Sequence, residues 1–220
     1  MAPGLFVFFG LISSVLLTGV TSLKCYTCFI THGQCRNEDM TLVECKADET
    51  YCISFTLRTT FSIPSVGYTT KTCAKPEEAN DGYYSITSVG AKYFEALLYS
   101  CQLDGCNSLP SSLPYHEELK PNRLICPGSY ARDEYSPQPP QPVLCLGREN
   151  WCGNIDFGMY TFGAIHDEIF AQGCVTKNVC SYPLGETQMG NGIVKFNVTS
   201  NNCSIALQLP DVFYHIVFEN

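Results

Sequence analysis

The chain has 220 residues, 21 acidic against 13 basic side chains, a net charge of −8, and 14 cysteines. That balance argues against nucleic acid or an anionic membrane surface as partner and mildly favours a basic one. From the N-terminus, residues 4–17 (GLFVFFGLISSVLL) form an apolar run of signal-peptide length, and no charged residue precedes Lys24. Val20 and Ser22 place small side chains three and one positions before a cut ahead of Leu23. Residues 1–22 are therefore expected to be a signal peptide, removed on export. The run is short for a membrane-spanning helix.

All 14 cysteines lie between Cys25 and Cys203, and an even count in an exported chain reads as a disulfide framework. Cys25-x-x-Cys28 has zinc-like spacing, but such sites need a second pair or a paired histidine, and the sequence has neither. No metal and no cofactor is expected. Cys25, Cys45, Cys52 and Cys73 are matched by Cys126, Cys145, Cys152 and Cys174 at offsets of 101, 100, 100 and 101 residues. Four cysteines in that register indicate a duplication, with domains over 23–108 and 123–208. Residues 107–122 (NSLPSSLPYHEELKPN) carry three prolines and no cysteine, so a Pro-rich linker over 109–122 is read as an extended spacer. The tail, 209–220 (LPDVFYHIVFEN), is broken by Asp211, His215 and Glu219. It ends like a strand rather than like an apolar anchor signal, so a soluble mature chain without membrane insertion is expected.

Between the cysteines the pattern is short strands and turns. Ile53, Phe55 and Leu57 alternate with Ser54, Thr56 and Arg58, the period of a half-buried strand. Val194, Phe196 and Val198 alternate with Lys195, Asn197 and Thr199 in the same way. Residues 93–100 and 156–162 are further strand candidates rich in aromatics. Each domain is expected to be almost entirely β, with a core too small to rely on packing alone.

Leu23-Lys24-Cys25-Tyr26-Thr27-Cys28, followed by Cys35, Cys45, Cys52 and Cys73 and closed by Cys101-Gln-Leu-Asp-Gly-Cys106-Asn107, resembles a lymphocyte-antigen-6/urokinase-receptor domain. The resemblance implies two tandem three-finger domains and a bridge pattern. In the first domain it implies Cys25–Cys52, Cys28–Cys35, Cys45–Cys73 and Cys101–Cys106. Ser100 stands where the family's third-finger bridge would place a cysteine, and its partner is missing too. The second domain has Ser129 in place of the second cysteine of C-x-x-C and lacks the closing C-x4-C-N. Cys126–Cys152, Cys145–Cys174 and Cys180–Cys203 remain, and every cysteine is used. The Pro-rich linker, Cys126-Pro127-Gly128, and Gly173-Cys174-Val175 through Cys180 are similar to the gamma-type phospholipase A2 inhibitors. The missing third-finger bridge in the first domain departs from them.

A nucleophilic site needs a thiolate or an activated hydroxyl beside a base, and a fully paired cysteine set supplies no thiolate. His32 falls in a short first-finger loop and His116 in the linker, where exposure is expected; His215 falls in the tail. His166 has Asp167 and Glu168 beside it, but neighbours on a strand point apart, so a solvated fingertip is expected there. No G-x-S-x-G, phosphate-loop or zinc-protease motif is present. Asn197-Val198-Thr199 is a glycosylation sequon on the polar face of its strand, and Asn202-Cys203-Ser204 is a second, weakened by its central cysteine. The fingers are the expected binding surface. These are residues 53–72, with Arg58 and Lys71, and residues 154–172, with Phe157, Met159, Tyr160, Phe162 and Phe170. The Pro-rich stretch 132–142 reads as an extended loop. The sequence thus points to a secreted, non-enzymatic binding protein. The expectation is an inhibitor or decoy of a secreted or cell-surface protein such as a phospholipase A2; the alternative is an adhesion or receptor-modulating ligand.

Overall fold

The computed structural model describes residues 22–133, 136–161 and 165–209. The expected signal segment up to residue 21, Phe162, His215 and all of the tail after Leu209 lie outside them. The chain is all-β and disulfide-rich. The first repeat contains β1 (Lys24–Thr31), β2 (Thr41–Glu44), β3 (Tyr51–Thr59), β4 (Val66–Ala74), β5 (Gly82–Thr87) and β6 (Tyr93–Cys101). The second contains β7 (Pro121–Arg132), β8 (Gln141–Leu146), β9 (Trp151–Thr161), β10 (Ile165–Val175), a one-turn helix α1 (Lys177–Cys180), β11 (Gly185–Met189), β12 (Val194–Ile205) and β13 (Leu207–Gln208). The alternating runs at 53–57 and 194–198 fall inside β3 and β12, and the aromatic-rich candidate at 93–100 inside β6.

Each repeat is three antiparallel hairpins: β1–β2, β3–β4 and β5–β6, then β7–β8, β9–β10 and β11–β12. The third hairpin crosses back to pair with the second, β6 on β3 and β12 on β9. The bridges join Cys25–Cys52, Cys28–Cys35, Cys45–Cys73, Cys101–Cys106, Cys126–Cys152, Cys145–Cys174 and Cys180–Cys203. The four register-matched cysteines of each repeat pack into a buried sulfur cluster at the base of its fingers. Sulfurs of Cys25, Cys45 and Cys73, and of Cys126, Cys145 and Cys174, approach one another closely. All six are bridged, so these clusters are stacked disulfides and not metal ligand sets.

The repeats are not separate bodies with small private cores. Strand β10 pairs with β5 through Cys174–Thr87 and Val175–Ile86, so both repeats share one sheet. One hydrophobic cluster joins Phe55, Leu57, Phe94 and Leu98 of the first repeat to Phe157, Met159, Val194 and Phe196 of the second. Phe94 meets Phe196 edge-on with ring centres 5.7 Å apart. The sheet curls until the β11–β12 turn reaches back to the first repeat. Gly190 lies there at φ +63°, and a Cβ on it would stand 2.6 Å from the Phe55 ring, so this contact requires glycine. Asn191 next to it donates to the Cys73 carbonyl at 3.3 Å. Two half-sized sheets thus close on each other and bury apolar faces that neither could cover alone.

The linker is extended, but it is not a free spacer. It runs along the other face of β3, β4 and β6 and seals their polar side chains. Thr56 Oγ1 donates to the Ser111 carbonyl at 3.0 Å, and the Arg58 guanidinium to the carbonyls of Leu113 (2.7 Å) and Pro114. Lys71, only 1% exposed, is bound through Nζ to the carbonyls of Asn107 and Leu109. Burial pushes its ammonium below the ordinary lysine range. His116, expected to be exposed, lies flat on Tyr93 with ring centres 3.8 Å apart and holds Glu95 Oε1 at 2.9 Å through Nδ1. The polar alternation of β3 therefore marks a face buried under hydrogen-bonding backbone. Half-burial by an open sheet face does not describe it.

Candidate binding surface

The tip of the first repeat's second finger is inserted against the second repeat. Phe61 and Ser62, in the turn between β3 and β4, are buried. Phe61 stacks on Tyr130 of β7 at 5.3 Å, and the Tyr130 hydroxyl donates to the Phe61 carbonyl at 2.7 Å. Burial raises the Tyr130 hydroxyl to about 12, so it remains a donor throughout the neutral range. Ser62 donates to Asp167 Oδ2 at 2.7 Å. Asp167, 6% exposed, faces Arg132 Nη1 at 3.7 Å. Asp133 Oδ1 in turn accepts from the Glu168 amide at 3.2 Å. Phe61 and Ser62, Tyr130 to Asp133, and Asp167 and Glu168, one pair or run from each of three fingers, are thereby tied into one junction.

Around this tied core the outward side chains are free to meet a partner. Ile63 is 67% exposed beside exposed Pro64. Tyr160 and His166 face each other across β9–β10 with rings stacked at 4.3 Å, and His166 Nε2 meets Glu168 Oε1 at 2.7 Å. His166 and Glu168 are exposed while Asp167 between them is buried, the alternation a strand imposes. They form a solvated surface pair and do not converge with Asp167. Pro137, Pro139 and Pro140 of the loop between β7 and β8 are exposed as well.

Several expected binding residues belong to the core. Phe157 and Met159 are buried and Phe170 is half-buried. Arg58 and Lys71 are held by the linker. Each second finger is covered on one face by the opposing repeat, and the first repeat's is covered on the other face as well, by residues 107–118. His32 is exposed at the first finger's tip, with φ +55°. All 14 cysteines are bridged, and no thiol is free.

One buried group at the repeat junction had no signal in the sequence. Glu149, in the turn between β8 and β9, is 1% exposed. Its Oε1 accepts from Ser85 (2.5 Å) and Thr87 (2.7 Å) of β5, and Oε2 from the Leu146 amide (2.9 Å). Burial raises its carboxyl from 4.5 to about 7, against the opposing pull of those donors. Between these two values the folded chain holds a proton that the unfolded chain releases. The stability from this site is complete below the unfolded value and is lost as pH rises through about 7, an effect of about 3 kcal/mol. Urea unfolding with the bridges intact should show a midpoint falling between pH 5 and 8, and Glu149→Gln should lose most of that slope. An unchanged slope in the variant would assign the effect to other groups.

The fold defines an all-β, disulfide-stapled chain of paired three-hairpin units. No protein-family model matches the chain. Among curated proteins it is similar to a phospholipase A2 inhibitor gamma subunit of Gloydius brevicaudus siniticus. The two are 26% identical over 176 residues, covering 80% of this chain and 84% of that protein. The protein of the same name from Elaphe climacophora is 26% identical over 175 residues, covering 77% and 82%. Among solved structures, mouse TEX101 aligns over 84% of this chain and 99% of its own, at 14% identity and a TM-score of 0.32. Among the described residues no helix is long and apolar enough to cross a membrane.

Proposed function

We propose that this is a secreted, non-enzymatic binding protein of the two-domain Ly-6/urokinase-receptor type, acting as an inhibitor or decoy of a secreted protein of the phospholipase A2 class. The observation that carries the reading is the fingertip junction: exposed Ile63, Tyr160 and His166 on a frame fixed by Phe61–Tyr130 and Ser62–Asp167. A rigid scaffold presenting aromatic and aliphatic side chains from several loops is suited to protein recognition. The similarity to the phospholipase A2 inhibitor gamma chains supports the partner class, because it spans most of both proteins. Fourteen bridged cysteines support an oxidising, extracellular setting and leave no thiolate for catalysis.

The test is binding and inhibition across a panel of secretory phospholipases A2, using the oxidised protein. Ile63→Asp and Tyr160→Ala, both at outward positions, should each weaken binding by about tenfold or more with an unchanged unfolding midpoint. No binding to any member of the panel would remove the phospholipase reading. Capture of a cell-surface protein in its place would move the chain to the adhesion or receptor-modulating class.

A further inference from the structure

Beside β11 and β12 lies a groove of about 940 Å³. Its far wall is built by the first repeat, from Asn80 and Tyr84 at the entry to β5, and its near wall by Tyr160, Tyr182, Glu186 and Gln188. Rings alternate with amides and a carboxylate, a lining that offers flat apolar faces and hydrogen-bonding groups side by side. Asn197 stands in the near wall, in the middle of β12, opposite Glu186 on one side and Gly158 on the other. It is half-exposed, and among the described residues its side-chain amide makes no hydrogen bond. Asn202 differs: its Nδ2 donates to Ser200 Oγ at 3.1 Å, and Cys203 beside it is tethered to Cys180.

We infer that Asn197 carries an N-linked glycan whose first sugars lie in this groove, and that Asn202 carries none. Two independent features meet at this residue: the Asn-Val-Thr sequon and a sugar-sized channel with matching chemistry that Asn197 itself lines. In the transfer, Nδ2 bonds to the anomeric carbon of a lipid-pyrophosphate-linked oligosaccharide. The carbon–oxygen bond to pyrophosphate breaks, pyrophosphate leaves with its electron pair, and one amide proton is lost. In the folded protein the innermost sugar ring packs on Tyr182, and its hydroxyls reach Glu186, Gln188 and Asn80. The glycan thereby covers the seam between the third finger of the second repeat and the first repeat, away from Ile63 and the Pro-rich loop. This inference rests on the export proposed above.

The experiment uses the full chain expressed in a secreting animal-cell line and collected from the medium. Peptide mass mapping after N-glycosidase treatment should show Asn197 converted to Asp and Asn202 unchanged. Hydrogen exchange on the glycosylated protein should be about threefold slower across residues 178–188 than after glycosidase treatment of the folded protein. Asn197→Gln and Thr199→Ala should reproduce the faster exchange. An unmodified Asn197 in chain recovered from the medium overturns the inference alone. A modified Asn197 with equal exchange in both forms overturns the seating in the groove, and a modified Asn202 overturns the selectivity. Retention of the chain inside the cell removes the export reading and this inference with it.

Discussion

Full reduction of the oxidised protein, with all 14 thiols alkylated, should abolish cooperative unfolding and the β-sheet spectrum at neutral pH. The buried sulfur clusters sit at the base of both sets of fingers. Five of the seven bridges close loops of 23 to 29 residues. In the chain-entropy account, one loop of that length is worth about 3.5 kcal/mol, whereas the five-residue loop of Cys101–Cys106 is worth about 2 kcal/mol. A domain's whole margin is about 5–15 kcal/mol, so losing three or four long bridges exhausts it. Removing bridges singly should follow the same order. Replacing Cys45 and Cys73 together by Ala should lower the urea midpoint more than replacing Cys101 and Cys106. A native β spectrum surviving complete alkylation would mean that the shared core alone suffices, and the staples would then be secondary.

That shared core is the part of the fold the sequence did not display. The strands were legible where alternation was strict: Phe55 and Leu57 point inward in β3, and Phe196 and Val198 in β12. The cysteine register was legible because covalent spacing survives duplication. What covers each face was not, because coverage is a long-range property. Nothing near Thr56 signals Ser111, and nothing near Phe61 signals Tyr130, 69 residues away. The same gap explains the aromatics of the second repeat's second finger. Phe157 and Met159 read equally well as contact residues or as core until the opposing sheet is in place. The alternation of His166, Asp167 and Glu168 was readable locally, and it separates the exposed pair from the buried carboxylate. Glu149 was not readable at all, since a glutamate in a turn is ordinarily solvated and only β5 makes this one a junction residue.

Gly173→Ala should unlock the two repeats. Gly173 lies in β10 just before the two residues that pair with β5. A Cβ there would stand 2.1 Å from the Thr87 carbonyl oxygen, 3.0 Å from its carbon and 3.1 Å from the Ser88 Cα. All three are backbone atoms, so no rotamer change relieves the clash, and the strands must separate. Separation would stretch the Ser88 hydroxyl from the Gln172 carbonyl, now at 2.7 Å, and loosen the Ser85–Thr176 contacts at 3.0 and 3.1 Å. It would also withdraw Ser85 and Thr87 from Glu149. The expected cost is about 3 kcal/mol or more, at the upper end for a single methyl because packing and buried polar satisfaction fail together. Native-state hydrogen exchange should show residues 85–88 and 174–176 losing protection, while Cys25, Cys45, Cys52 and Cys73 at the base of the first repeat's fingers remain protected. A free-thiol count of zero in the variant separates an opened junction from failed oxidation. If Gly173→Ala keeps both the wild-type urea midpoint and the wild-type exchange pattern at residues 85–88, the β5–β10 pairing does not hold the repeats together.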